Sequence, residues 1–94
     1  MEHTDVWRAI DTIAAKNGLT PSGLAIRCGL CSTAFNKSKR YSSANKPRWP
    51  TMQSIAKILD TLNQPMSYFA DILDTIVAER RAVQRAQPRA GNKH

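Results

Sequence analysis

Residues 20–40, TPSGLAIRCGLCSTAFNKSKR, read as two short helices joined by a tight turn. Thr20 and Pro21 mark a helix start, because a threonine hydroxyl caps the first free amides and a proline at the first helical position forfeits no hydrogen bond. The helix is predicted to reach Cys28, where Gly29 takes the left-handed conformation that ends it. Leu30 then tucks beneath the turn, and Ser32 caps a second helix. Leu24, Cys28, Leu30 and Phe35 are the apolar groups that would hold the pair together, and Ala25 is small enough to let the helices approach. Along the second helix Thr33, Asn36, Lys37 and Arg40 recur at i, i+3, i+4 and i+7, which puts them on one face. Side chains of these types suit base edges and phosphates. A plain hairpin whose polar face meets only water fits the same period. The small residue at 25 with a glycine four positions later favours the DNA-binding hairpin. Ser38 falls where a second apolar residue of the recognition helix is expected, so that helix is predicted to be short or loosely held at its end.

Moving outward, Thr4 to Asn17 is predicted as the first helix, with Thr4 or Asp5 as cap, Gly18 as stop, and Val6, Trp7, Ile10, Ile13 and Ala14 on one inward stripe. His3 precedes it with no second ligand at metal spacing and reads as a surface residue. Gly23 costs about 1 kcal/mol against alanine. Two explanations stand: tolerance near a helix end, or close approach of the backbone to a phosphate with Thr20 and Ser22 as neighbouring donors. Arg40 to Pro50, RYSSANKPRWP, is a loop. Lys46 and Arg48 are placed to grip a sugar-phosphate backbone, and Trp49 either anchors into the core or stacks on a sugar, with anchoring preferred. Thr51 caps a fourth helix to Leu62 with Met52, Ile55, Ala56, Leu59 and Leu62 inward. Ser67 caps a fifth with a stripe of Phe69, Ile72, Leu73, Ile76 and Val77, which Pro88 ends. Positions 69, 72, 76 and 83 suit a coiled seam to a second copy, interrupted by Glu79.

Ninety-four residues allow one domain with a modest core. We expect a DNA-binding domain over residues 1–80 and a basic tail or linker over 81–94. No apolar run reaches the length of a membrane span, and MEHTDVWR lacks the layout of a secretory signal, so a cytoplasmic, nucleoid-associated location is expected. Cys28 and Cys31 are expected as reduced thiols. Their Cys-Gly-Leu-Cys spacing admits a redox switch or half of a zinc site, but no further cysteine completes four ligands, so no metal and no cofactor is expected. Of the net charge of +7, residues 1–36 contribute nothing, while 37–48 hold five positive charges and no negative one. That run points to a polyanionic partner, with a merely solvated surface as the other reading. No constellation for nucleophilic or acid-base chemistry stands out, and no enzyme is expected.

Helices in this order, with GLAIRCGLCSTAFNKSKR and PRWPTMQSIAKIL between residues 19 and 62, make the chain resemble the lambda-repressor-like family, most closely the N-terminal DNA-binding domain of LexA-like repressors. The resemblance covers about half the chain. It implies an all-α, five-helix bundle with a helix-turn-helix, and a sequence-specific transcriptional regulator, a repressor, bound to double-stranded DNA. It assigns base reading to Ser32, Thr33, Asn36 and Lys37, and phosphate contacts to Thr20, Ser22 and Arg40, which Lys39, Lys46 and Arg48 extend. A homodimer is compatible with it. Nothing in these 94 residues corresponds to the self-cleaving peptidase domain of such repressors, which leaves either a fragment of a longer repressor or a stand-alone regulator switched by another signal, and Cys31 stands where they often carry a polar residue. The alternative function is an antitoxin-type or adaptor module that binds a protein through the fifth helix.

Overall fold

Val6, Trp7, Ala9, Ile10, Ile13 and Ala14 line one side of α1 (His3–Lys16), and all six are buried. The computed structural model describes the backbone of residues 1–86 and the side chains of residues 1–84. The inward stripe matches expectation with Ala9 added. The helix start differs: Glu2 is the cap, and Asp5 lies in the first turn, its Oδ2 accepting the Glu2 N–H at 2.8 Å.

α2 (Pro21–Arg27) follows, then a 3-10 turn (Lys37–Lys39), α3 (Met52–Leu62) and α4 (Met66–Ala86). The described residues are therefore all-α, with four α-helices where five were predicted. α1 packs mainly on α4 and α2, and α3 packs on α4. Leu24, Ala25 and Phe35 join Ile55, Ile58, Leu59, Phe69, Leu73, Ile76 and Val77 in one core. On α3 the inward face is rotated from the predicted one: Ile58 is buried, while Ala56 is exposed and Met52 is 64% exposed. Phe69 and Ile76 are spent on this core, which leaves the proposed seam only half-buried Ile72 and exposed Val83. α4 begins one residue before Ser67 and crosses residue 80 without a break, and the remainder of the expected tail, 87–94, lies outside the described residues.

α1, α2 and α3 share one stop device. The amide after the left-handed residue reaches back to the carbonyl five residues earlier: Leu19 to Ala14 at 2.8 Å, Leu30 to Ala25 at 2.9 Å and Gln64 to Leu59 at 2.9 Å. The left-handed residues are Gly18, Gly29 and Asn63. At Gly29, with φ +78°, an added Cβ would meet nothing within 4 Å, so Gly29→Ala isolates the backbone cost. That cost is about 1–2 kcal/mol, and a drop in Tm of at least about 4 °C is expected on thermal unfolding. An unchanged Tm would mean that the turn relaxes out of the left-handed region.

Candidate nucleic-acid interface

The segment expected to be the recognition helix is not an α-helix. Cys31 to Arg40 runs as successive tight turns: the Ala34 amide donates to Cys31 O, Asn36 to Thr33, Lys39 to Asn36 and Arg40 to Lys37, each bond reaching back three residues. Asn36 itself is extended, with φ −68° and ψ 155°. Ser32, Thr33, Asn36 and Ser38 are weak helix formers, and Phe35 is the segment's single buried side chain. A further cause is local competition. The Phe35 carbonyl, which an α-helix would give to the Lys39 amide, accepts instead from Arg40 Nη2 at 2.9 Å.

Arg40 is the clearest correction to the predicted site. Its guanidinium grips Asp11 of α1 with both terminal nitrogens, Nη1 to Oδ2 at 3.0 Å and Nη2 to Oδ1 at 2.7 Å, and lies 4.9 Å from the centre of the Trp7 ring. It bolts the turn segment to α1 and is not free for a phosphate. The pairing joins residues 29 positions apart, and charge pattern alone does not reveal it.

Residues 40–48 close into a small hairpin. The Arg48 amide donates to Arg40 O at 2.9 Å and the Ser42 amide to Lys46 O at 2.8 Å, while Ser42 Oγ accepts from the amides of Ala44 and Lys46. Asn45 takes the left-handed turn conformation. Trp7 Nε1 donates to Arg48 O at 2.8 Å, which ties the hairpin to the core. The hairpin holds Lys46 and Arg48 outward on either side of Pro47. Trp49 is 55% exposed and does not anchor into the core, contrary to the preferred sequence reading. His3, expected at the surface, is buried, its ring edge-on to Tyr41 at a centroid distance of 4.9 Å.

The remaining site residues divide in two. Thr20, Ser22, Asn36 and Lys37 line one cleft of about 240 Å³ together with the Asp11–Arg40 pair. Ser32 and Thr33 are exposed nearby in sequence, and Lys39, Lys46 and Arg48 are exposed outside that cleft. Thr20 Oγ1 already accepts the Gly23 amide at 3.0 Å as the α2 cap, and its own proton remains for an acceptor. A Cβ at Gly23 would lie 3.3 Å from Thr20 Oγ1, so this glycine makes room for the cap. Lys37, Lys39, Lys46 and Arg48 form no ion pair among the described residues. Both cysteines are free thiols, Cys28 half-buried and Cys31 exposed. Among the described residues no group of three or more metal-ligating side chains occurs, and no helix is long and apolar enough to cross a membrane.

Comparison with known proteins finds no protein family, no curated protein and no solved structure that matches this chain.

Proposed function

We propose that the chain is a DNA-binding transcriptional regulator, a repressor, that meets double-stranded DNA with residues 31–48. The observation that carries this reading is a set of four exposed cations, Lys37, Lys39, Lys46 and Arg48, with no acid in that stretch and no ion-pair partner among the described residues. The only acid lining the adjoining cleft, Asp11, is held by Arg40. In this reading Lys39, Lys46 and Arg48 lie along phosphates, Thr20 and Ser22 donate to a neighbouring phosphate, and Ser32, Thr33, Asn36 and Lys37 meet base edges. Exposed Trp49 takes the sugar-stacking role. The helix-turn-helix likeness is then a matter of placement: the reading segment is a chain of turns pinned by Phe35 and Arg40.

Neutralisation of phosphates by three cations, Lys39, Lys46 and Arg48, gives a plot of log K against log salt a slope of about −2.7. Lys46→Gln with Arg48→Gln should reduce its magnitude by about 1.8 and weaken all duplexes alike. Asn36→Ala with Lys37→Ala should instead erase preference among sequences. Fluorescence anisotropy of labelled duplexes across a salt series reads all of these. Salt-independent binding, or a slope the double substitution leaves in place, would refute the proposal. The adaptor reading draws on exposed Val83, beyond the last core residue of α4. Its mark is partner binding that survives Asn36→Ala with Lys37→Ala and is lost with Val83→Glu.

A further inference from the structure

A second cleft, of about 260 Å³, opens between the first turns of α1 and the start of the hairpin. Its walls include the rings of His3, Trp7 and Tyr41 and the cationic side chains of Arg8, Lys37 and Arg40, and no carboxylate lines it. Arg40 is neutralised by Asp11, whereas Arg8 and Lys37 have no ion pair among the described residues. Among the described residues two buried side-chain nitrogens meet no hydrogen-bond partner, His3 Nε2 and Arg40 Nε, and both belong to residues of this cleft. His3 is 8% exposed, and its ring is held by the edge contact to Tyr41.

We propose that this cleft binds a small organic anion with a flat apolar body, an aromatic carboxylate. The ring of Tyr41, 42% exposed, takes the body, and Arg8 and Lys37 take the carboxylate. A bare inorganic anion would leave the Tyr41 ring uncovered, and a neutral ring would leave the cations unanswered. The volume lies just below the range of about 300–1,000 Å³ typical of drug-sized ligands, which suits one ring or two fused rings. Lys37 and Arg40 line this cleft and also the one that holds Thr20, Ser22 and Asn36. A carboxylate that engages Lys37 therefore removes a cation from the DNA face, and the ligand acts as an inducer. This last step rests on the DNA-binding reading, while the binding site itself does not.

The test titrates the full chain, first without DNA, with benzoate and with indole-3-carboxylate, using benzamide as the neutral counterpart and inorganic phosphate as the anion without a ring. Calorimetry and the indole N–H resonance of Trp7 provide the readouts. Saturable binding of a carboxylate at about 1 mM or tighter is expected, at least tenfold weaker for benzamide and for phosphate. Arg8→Gln and Lys37→Gln, both at exposed positions, should each weaken it at least fivefold. Absence of saturable carboxylate binding, equal binding of benzamide or phosphate, or indifference to both substitutions would overturn the site. A duplex titration follows, in which saturating carboxylate should lower affinity at least threefold. Unchanged duplex affinity would overturn the inducer role. A chain that binds carboxylate but no duplex refutes the DNA reading alone, and one that binds duplex but no carboxylate refutes this site alone.

Discussion

Truncation of Phe35 to alanine should destabilise the chain by about 3–5 kcal/mol, the range for removing a buried aromatic side chain and leaving a cavity. Phe35 is 1% exposed, and between Ala25 and Ile55 it is the one buried residue. The exposed groups of 31–40 thus depend on this ring, with half-buried Ala34 beside it, for apolar attachment and on Arg40 for a polar one, while the hairpin has its own tie through Trp7 to the Arg48 carbonyl. Loss of the ring should do more than lower the unfolding midpoint in urea. Amide exchange over 32–40 should accelerate beyond that of α1 and α4, because the turns there hold no regular ladder of their own. Phe35→Leu keeps an apolar plug and should restore most of the stability. A loss below about 1 kcal/mol, or exchange over 32–40 that rises no more than in α1, would show that Arg40 alone holds the segment.

The helices that make the core were legible because their apolar spacing is long and regular. The stripe of α1 from Val6 to Ala14 and that of α4 from Phe69 to Val77 each repeat over several turns, and tertiary burial agrees with the period. Stops at Gly18 and Gly29 and the caps at Thr20 and Thr51 were legible for the same local reason: one residue type solves one backbone problem. The segment after Ser32 was not, because four polar residues at helical spacing describe a face only if a helix exists to carry them. Ser38 was the visible warning, since a helix with one apolar anchor has little tertiary packing to offset its poor propensities.

The charges were legible in number and not in partnership. Arg40 entered the sequence reading as a phosphate ligand and Arg80 as part of an expected domain end, yet each reaches an aspartate on α1, across 29 and 75 positions. Lys37, Lys39, Lys46 and Arg48 remain as expected in exposure. What distinguishes them from Arg40 is that none of them is ion-paired among the described residues. Trp49 and His3 exchanged roles for a related reason: the hairpin is fastened through Trp7 to the Arg48 carbonyl, which turns the next residue outward and closes Tyr41 over His3.

Arg80→Met should lower the Tm by at least about 12 °C, the lower end for a broken buried ion pair in a domain of this size. Asp5 is 0% exposed and accepts Arg80 Nε at 2.9 and 3.1 Å, Nη2 at 2.9 Å and the Glu2 amide at 2.8 Å. The Arg80 hydrogen bonds hold the Asp5 carboxyl below its ordinary pKa of 3.8, against a smaller upward push from burial. A carboxyl whose folded-state pKa is depressed adds stability that is present above its unfolded value and is lost as pH falls through that value toward the folded one. The wild-type chain should therefore lose stability below about pH 4, and Arg80→Met should show a flatter acid limb because its loss is already taken at neutral pH. Asp5→Asn combined with Arg80→Met separates a broken pair from lost packing. With both charges gone, no buried carboxylate is stranded, and the double variant should recover much of the single variant's deficit. Thermal melts of the four chains from pH 2 to 7 decide the matter. A single variant as stable as wild type would show that Asp5 is stabilised by its own helix and that α4 does not hold the first two turns of α1, where His3, Trp7 and Arg8 line the second cleft. A double variant no better than the single would assign the deficit to lost packing of the Arg80 side chain and not to the ion pair.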